Sequence, residues 1–409
     1  MTPTICYLLP RILPTSGGSV IGGAAANCVS LALELKRRGV GIEVLASVSD
    51  GGLVDLAGSP LSEILKPLPN CGGGLLGKGV GTVRTLRGGL RERSRETHFD
   101  IVHCHSGTYP YAVVPLVADR RATVRLHSLY CPLTAEGGVY SRWWESMLAA
   151  RLAFGRLDRV VAVTQNVQRS LQTAGVPHEK TELVPMCVDT QRFRPMSRPN
   201  LTKYFHDGQA QARILFVGNA SQEKGLAELL RAAKILADKK MSFFLVAAVE
   251  NQSKIKEYTI GYDRAQDFVH RCGLENCVRF VGLVDAMEAL YAETDFLVIP
   301  WNTSRGPSDY PMVVLEAMAM GKCIISTPVG GCPELLAGGA GILTKDFSAE
   351  SIASALEATI HDARMQQNLG AVAVRRAQDF SVRISADRLM GLYEKLLRKK
   401  ADYHAYCPA

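Results

Sequence analysis

The chain has 409 residues, of which 47% are hydrophobic and 21% are charged, and its formal net charge is +8. This composition is ordinary for a soluble globular enzyme and excludes a disordered, collagen-like or fibrous chain. The positive charge is spread along the chain, which favours anionic ligands or surfaces but does not indicate a nucleic-acid-binding protein.

The cysteines and the apolar runs bear on the compartment. The 11 cysteines are an odd number, and they include no Cys-x-x-Cys pair, which argues against a disulfide framework and against a zinc ribbon. No apolar run reaches the ~18 residues of a membrane span, and the first residues do not resemble a secretory signal. We therefore expect a cytoplasmic protein.

Short apolar runs alternate with amphipathic helical patterns through the first half of the chain. A helix predicted over residues 24–38 has basic residues in its last turn, where the helix dipole favours cations, and Gly39 ends it. Strands that alternate with helices in this way predict a parallel sheet covered on both faces. The predicted strands are residues 5–9, 42–47, 101–104, 123–126, 160–163 and 183–184.

Residues 50–98 fit this alternation less well and contain a basic segment, residues 78–95. Its arginines share one helical face, and valines and leucines lie close to another. Two interpretations stay open: a solvated helix of the first domain, or a basic amphipathic element that contacts anionic lipid at the membrane surface. The arginines on the shared face are Arg84, Arg87, Arg91 and Arg95.

A polar stretch without periodicity covers residues 190–211, and the alternation then restarts. We therefore predict an α/β protein of two doubly wound, Rossmann-like parallel-sheet domains that face a central cleft. The predicted boundaries are residues 1–195, residues 196–385, and a C-terminal helix and tail over residues 386–409 that returns to the N-terminal domain. The later strands are residues 214–217, 243–248, 278–281, 296–299, 323–326 and 341–343, with helices over 226–239, 263–271 and 386–400.

Two segments of the second half have features of an anion site. Gly218 ends a predicted strand, and Lys224 opens the following helix, where a lysine can pair with phosphate oxygens. Pro311 fits the first turn of another helix, whose first N–H groups are unpaired. Glu316 is a lone carboxylate on that apolar helix and needs a partner or a ligand, such as the hydroxyl groups of a ribose.

Other motifs are weaker. The glycine loop over residues 16–23 is not G-x-G-x-x-G, so it is either a tight turn or an approach to an anion. Residues 72–79 nearly spell a phosphate-binding loop, but Gly79 stands where a Ser or Thr must meet magnesium. His103 and His105 share one strand face; we favour a structural role or acceptor contacts over a metal pair, since no third ligand is evident.

Segments spread over nearly the whole chain resemble, in the expected order, the retaining glycosyltransferases of family four, which have the GT-B fold. One matching segment alone would be weak evidence for the family, whereas several in the same order and spacing are specific to it. The matching segments are residues 22–24, 123–127, 184–195, 217–225, 312–321 and 326–334.

This resemblance implies an N-terminal acceptor-binding domain and a C-terminal domain that binds a nucleotide-sugar donor, by family frequency a UDP-sugar. It implies that His127 hydrogen-bonds the transferring sugar, that Lys224 holds the diphosphate and that Glu316 binds the ribose. The other implied donor-binding residues are Gly22, Gly23, Gly218, Asn219, Ser308, Asp309, Met312, Val313 and Val314.

The chain also departs from the family pattern. Ser308 stands where the family has a glutamate, with Asp309 one step later, and Asn219 replaces the usual arginine after the strand glycine. Arg305 would compensate for the lost charge if its loop folds inward. These departures bear on the donor sugar and on catalytic competence.

The family mechanism needs neither a cofactor nor a metal, because the donor phosphate acts as the base and the protein stabilises the departing diphosphate. The implied partners are the donor and an acceptor sugar, lipid or small molecule, and no nucleic acid. Two alternatives remain: a sugar-nucleotide epimerase of the same fold, and a catalytically silent subunit that binds a nucleotide or glycan.

Overall fold

The structure is a computed structural model, and it divides the chain into two compact units. Unit 1 comprises Met1–Cys187, Arg305–Tyr310 and Ser381–Ala409, and unit 2 comprises Val188–Ser304 and Pro311–Phe380. The residues described are 2–14, 20, 22–48, 58–69, 75–107, 109–118, 123–133, 147–197, 203–205, 210–251, 255–303 and 308–406.

Unit 1 contains a seven-stranded sheet in the order β3-β2-β1-β4-β5-β6-β7, with parallel neighbours throughout. Its elements are β1 (Thr4–Ile12), α1 (Gly23–Arg37), β2 (Gly41–Val48), β3 (Leu65–Leu68), α2 (Leu75–Glu96), β4 (Ile101–Ser106), β5 (Val124–Leu129), α3 (Met147–Gly155), β6 (Arg159–Ala162), α4 (Gln165–Thr173) and β7 (Thr181–Leu183).

Unit 2 contains a six-stranded parallel sheet in the order β10-β9-β8-β11-β12-β13. Its elements are β8 (Ala212–Gly218), α5 (Leu226–Asp238), β9 (Phe243–Val249), α6 (Lys256–Arg271), β10 (Val278–Val281), α7 (Met287–Glu293), β11 (Phe296–Ile299), α8 (Met312–Ala319), β12 (Cys323–Ser326), α9 (Cys332–Leu335), β13 (Ile342–Leu343), α10 (Ala349–Ile360) and α11 (Ala363–Gln378).

The last helix, α12 (Val382–Tyr406), belongs to unit 1. Its apolar stripe, which includes Leu389, Leu392 and Tyr393, packs in one core cluster with residues of α1, β1 and β2. A second cluster on the other face of the sheet contains Leu86 and Leu90 of α2. Helices therefore cover both faces of the sheet, which is why its central strands β4 and β5 are buried along their whole length.

The prediction of two doubly wound parallel sheets is confirmed, with local differences. The strand β3 was missed, because it is a short edge strand that contains Lys66 and Pro67, residues that a central strand would not tolerate. The strand β5 runs to Leu129, so His127 lies inside it and not after its end.

Some predicted features lie outside the described residues. They are most of the glycine loop at residues 16–23, the glycine cluster of residues 72–74, and Arg305. No helix in the described part of the chain is long and apolar enough to cross a membrane.

Candidate functional site

The strand order of unit 2 marks one position on its sheet. The strand β8 pairs with β9 on one side and with β11 on the other, so the direction of winding reverses between β8 and β11. Open parallel sheets bind ligands beyond the carboxyl ends of the strands at such a switch point. The segments that follow β8 and β11 are those that carry Lys224 and the helix with Glu316.

Lys224 lies in a short 3-10 turn, Gln222–Lys224, directly after β8. Its side chain is buried, and Nζ lies 3.1 Å from the centroid of the Trp301 ring, which follows β11. The aromatic face attracts the ammonium group electrostatically, the more so because little water reaches it. Trp301 thus fixes the position of a buried positive charge at the switch point.

Gly225 allows the lysine turn to lie against the end of β11. Its φ of 67° is left-handed, and a Cβ at this position would collide with the carbonyl oxygen of Pro300. Two contacts of Asn302, from its N–H to the Glu223 carbonyl and from Nδ2 to the Gln222 carbonyl, tie the two segments together.

The helix α8 begins after Pro311 without a side-chain cap. The N–H of Val314 donates to the Pro311 carbonyl at 3.0 Å, which corrects the expectation that this group is open to a ligand. The N–H groups of Met312 and Val313 have no acceptor among the residues that the structure describes. The first turn of α8 therefore offers these two donors at the positive end of the helix dipole.

Glu316 lies one turn into α8 and is partly exposed. The Tyr291 hydroxyl of α7 donates to its Oε2 atom over 2.9 Å. Burial raises the pKa of Glu316 to about 7, against the opposing effects of this hydrogen bond and of the positive charge of Arg192. The carboxyl group is thus balanced between its two protonation states near neutral pH.

Gly218 and Asn219 end β8 and start the loop to Lys224. The Asn219 side-chain oxygen accepts the N–H of Ser221 at 3.1 Å, a local bond that shapes this turn. Where the family pattern has an arginine, this chain therefore has a residue whose oxygen stabilises the backbone of the loop.

In unit 1 the corresponding switch point lies between β1 and β4. Gly22 precedes α1 with a φ of 106°, a left-handed conformation that favours glycine, and Gly23 is the first residue of the helix. Nothing lies within 4 Å of a Cβ built on Gly22, so its conformation and not crowding selects glycine there.

His127 is fully buried in β5, where its Nε2 atom lies 3.2 Å from the Ser106 hydroxyl oxygen. Its Nδ1 atom has no hydrogen-bond partner among the described residues. Burial lowers the pKa of His127 to about 3, so the imidazole is neutral at physiological pH. His127 therefore has one ring nitrogen without a described partner, and its neutral ring adds no positive charge.

His103 and His105 lie on the other face of the sheet from His127, within a buried network of hydroxyl groups. His103 Nδ1 lies 2.7 Å from the Tyr393 hydroxyl, and His105 Nδ1 lies 3.0 Å from the Tyr130 hydroxyl. The described residues contain no group of three or more His, Cys, Asp or Glu side chains that could hold a metal. Each ring is thus held through its Nδ1 atom by a buried tyrosine hydroxyl group.

Ser308 and Asp309 belong to unit 1. Ser308 donates to the Tyr310 carbonyl, while Asp309 accepts hydrogen bonds from the Thr164 hydroxyl at 2.7 Å and from Asn166 Nδ2 at 3.2 Å. Both side chains are buried, and these contacts fix the segment at the start of α4.

The structure thus places the predicted site residues in two sets. One set in unit 2 gathers around its switch point, and the other lies in unit 1. Two residues that contact the unit 2 set, Tyr291 and Trp301, were not predicted from the sequence. Trp301 lies two residues after the end of the predicted strand 296–299. The unit 2 set is Gly218, Asn219, Lys224, Met312, Val313, Val314 and Glu316; the unit 1 set is Gly22, Gly23, His127, Ser308 and Asp309.

Two family models match this chain. Residues 21–192 match glycosyltransferase family 4, and residues 211–362 match glycosyl transferases group 1. Curated relatives include the D-inositol 3-phosphate glycosyltransferases of Kineococcus radiotolerans, 27% identical over 96% of this chain and 94% of that protein, and of Corynebacterium jeikeium, 27% identical over 94% of each.

Solved structures share the fold at low sequence identity. Sucrose-phosphate synthase from Thermosynechococcus elongatus has a TM-score of 0.78 at 18% identity, covering 97% of this chain and 100% of that one. HepE from Anabaena, in complex with UDP and glucose, has a TM-score of 0.74 at 19% identity, covering 96% and 99%.

Proposed function

Because the chain belongs to the group 1, family 4 glycosyltransferases, we propose that it moves a sugar from a nucleotide-diphosphate sugar to an acceptor hydroxyl with retention of anomeric configuration. The observation that carries this proposal is the arrangement in unit 2. Lys224, the open first turn of α8 and the Glu316 carboxylate all follow the strands that flank one switch point. A cation, two N–H donors and a carboxylate suit a diphosphate and a ribose.

In the proposed reaction, the bond between the anomeric carbon and the diphosphate breaks while the acceptor oxygen attacks from the same face. Lys224 and the N–H groups of Met312 and Val313 stabilise the negative charge on the departing diphosphate. The diphosphate takes the proton of the acceptor hydroxyl. His127 contributes a hydrogen bond from its neutral ring to the sugar. We propose that this chemistry needs no metal and no cofactor.

A UDP-linked hexose is the proposed donor. The support is that HepE from Anabaena, which shares the fold, binds UDP-glucose. In this chain, Glu316 recognises the ribose, which UDP and GDP share, so the choice of base depends on other contacts. The acceptor is proposed to be a sugar, a lipid or a small molecule. D-inositol 3-phosphate is one acceptor to test, because the relatives named above are D-inositol 3-phosphate glycosyltransferases.

The decisive experiment incubates the purified full chain with UDP- and GDP-sugars, with and without an acceptor panel that includes D-inositol 3-phosphate. Release of the nucleoside diphosphate and formation of a glycoside with the donor's anomeric configuration are expected. Activity in the presence of EDTA is expected to equal activity without it. An inverted product would overturn the retaining mechanism.

One observation favours a second candidate, a silent subunit that only binds nucleotide. Asn219 and Ser308 replace the family's charged residues, and both make local hydrogen bonds to the backbone. Nucleotide binding without hydrolysis or transfer for any donor would support this candidate. Interconversion of the sugar nucleotide itself would instead identify an epimerase.

We also propose that unit 1 contacts an anionic membrane surface through α2. Leu86 and Leu90 of α2 are buried against the sheet, so these two apolar side chains are not available to lipid. The opposite side carries exposed arginines that form no ion pair with a described residue. Contact would therefore be electrostatic, without insertion into the lipid. These arginines are Arg84, Arg87, Arg91 and Arg95.

A further inference from the structure

Tyr291 is a fully buried residue of α7 whose hydroxyl contacts two different parts of α8. The hydroxyl oxygen lies 2.9 Å from Glu316 Oε2 and 3.2 Å from the Val313 carbonyl oxygen. The second carboxylate oxygen, Glu316 Oε1, has no hydrogen bond to any described residue. Tyr291 therefore holds one oxygen of a partly exposed carboxyl group and leaves the other for a ligand.

A tyrosine hydroxyl has one proton to donate, so it cannot serve both acceptors fully at the same time. When Glu316 is ionised, the charge-assisted bond to the carboxylate is the stronger one. When Glu316 is protonated, its own O–H can donate to the Tyr291 oxygen, and the Tyr291 proton is then free for the Val313 carbonyl. The arrangement has two satisfied states that differ by one proton.

The tyrosine ring is held from the side by residues 184–195, one of the segments that match the family. Phe193 packs edge-on against Tyr291 with ring centroids 6.1 Å apart, and the Arg192 guanidinium lies 5.0 Å from the Phe193 centroid. Arg192 also pairs with Glu288 of α7 at 2.8 Å. Among the described residues, the charged and titratable groups that act on the ionisation of Glu316 are Tyr291, Arg192 and Glu288.

We propose that Tyr291 is a positioning residue for nucleotide binding: it orients Glu316 so that Oε1 accepts a ribose hydroxyl, and it favours the ionised form that this contact needs. The inference rests on the proposed function of the unit 2 site. It assigns to Tyr291 an action through Glu316 and no contact with the reacting atoms.

The pH dependence follows from the burial of Glu316, which brings its pKa to about 7. A ribose hydroxyl donates more strongly to a carboxylate than to a neutral carboxyl group, so affinity falls as pH falls through neutrality. Replacing Tyr291 by phenylalanine removes a bond that favours the ionised form. The midpoint of this fall then moves to higher pH, so the loss of affinity is large at neutral pH and small in alkali.

The experiment measures UDP affinity by calorimetry from about pH 6 to about pH 9, where an ionisation near neutrality is resolved. The proteins are the full-length wild type, Tyr291→Phe, Glu316→Gln and the double variant. Tyr262→Phe on α6 is the matched control, since its hydroxyl is far in sequence from Glu316 and bonds only Gln266 among the described residues. At neutral pH, Tyr291→Phe should lose roughly three- to tenfold in affinity, and most of this loss should disappear in alkali.

Two comparisons separate positioning from a structural role. In the Glu316→Gln background, Tyr291→Phe should have no further pH-dependent effect, and 2′,3′-dideoxy-UDP should bind wild type and Tyr291→Phe equally. A loss that is equal at every pH, or that persists in the Gln background, would overturn the inference while UDP binding by the wild type still stands. Failure of the wild type to bind either UDP or GDP would overturn the proposed function itself.

Discussion

At the scale of single residues, Lys224 places a positive charge in the unit 2 site, 3.1 Å from the centroid of the Trp301 ring. A cation held over an indole in a desolvated setting is stabilised by up to about 2 kcal/mol, and in the proposed complex a phosphate oxygen adds a charge-assisted bond to the ammonium group. Under the proposed function, the ring positions the charge that binds the diphosphate.

We predict that Lys224→Met lowers UDP affinity by about 1–3 kcal/mol, because it removes the charge and keeps most of the apolar stem. Trp301→Leu should lower affinity less, since the lysine remains but is no longer held in place. Calorimetry checks both, with Lys234→Met as the control, a lysine on α5 that pairs with Asp238. Equal affinity of wild type and Lys224→Met would contradict the assigned role.

Three buried histidines make unit 1 sensitive to acid. Burial lowers the pKa of His105 and of His127 to about 3 and holds the pKa of His103 well below its ordinary value. The unfolded chain binds protons at these side chains below about pH 6.5, and the folded chain does not. Stability is therefore complete above that pH and is lost as the pH falls from there toward 3.

The expected slope is at most about 1.4 kcal/mol per pH unit for each histidine. Glu316 acts in the opposite direction, since its raised pKa means that the fold loses stability as the pH rises from about 4.5 to about 7. The effect of this one carboxyl group is smaller than the combined effect of the three histidines. Urea unfolding at pH ~7.5 and pH ~5.5 measures the difference. His127→Gln should reduce the loss on acidification, and a free energy of unfolding that does not change between these pH values would refute the prediction.

At the scale of elements, α12 completes the core of unit 1. The Tyr393 hydroxyl lies 3.1 Å from the Tyr7 hydroxyl and 2.7 Å from His103 Nδ1, all of them buried. Near the end of the same helix, Lys400 pairs with Asp158 at 3.1 Å. The helix is therefore fastened by apolar packing, by a buried polar network and by an ion pair.

Tyr393→Phe should lower the free energy of unfolding by about 1–3 kcal/mol, because it leaves two buried polar groups without their partner. Tyr7→Phe should cost less, since it breaks only the bond to Tyr393. Denaturant unfolding of the full chain checks both, with Tyr262→Phe as the control. If Tyr393→Phe were no more costly than Tyr262→Phe, the network would not contribute to stability.

Most elements could be predicted from hydrophobic period alone, because central parallel strands are continuous apolar runs and the helices that cover them are amphipathic. The strand β3 could not, because an edge strand needs no such run and here contains Lys66 and Pro67. Lys224 was a candidate because it opens the helix that follows the strand glycine, and Glu316 because it is a lone carboxylate on an apolar helix. Tyr291 could not be found, since an aromatic residue on the buried side of a short helix looks like any core residue until the contact with Glu316 is seen.

At the scale of the whole molecule, the net charge of +8 is spread over many surfaces, yet α2 concentrates part of it on one side. Arg93 of this helix pairs with Glu43 and Glu96, whereas the arginines of the exposed face do not pair with any described residue. Each such side chain near an anionic lipid surface is worth about 1 kcal/mol at physiological salt. Those arginines are Arg84, Arg87, Arg91 and Arg95.

We predict that the chain sediments with vesicles that contain phosphatidylserine and not with neutral vesicles, and that salt weakens this binding steeply, as expected for screened charges. Replacing the arginines of the exposed α2 face by glutamine should abolish most of the binding. The control makes the same change of charge on exposed positions of α12, at Arg388, Lys395, Arg398 and Lys399.

The two variants have the same net charge, so a difference between them isolates the contribution of the α2 face from that of total charge. Because Leu86 and Leu90 of α2 remain in the core, the binding should not depend on lipid packing defects, which an inserting helix would need. Equal loss in both variants would mean that diffuse charge and not α2 carries the attraction. Binding that survives high salt would instead indicate apolar insertion and would contradict the electrostatic contact.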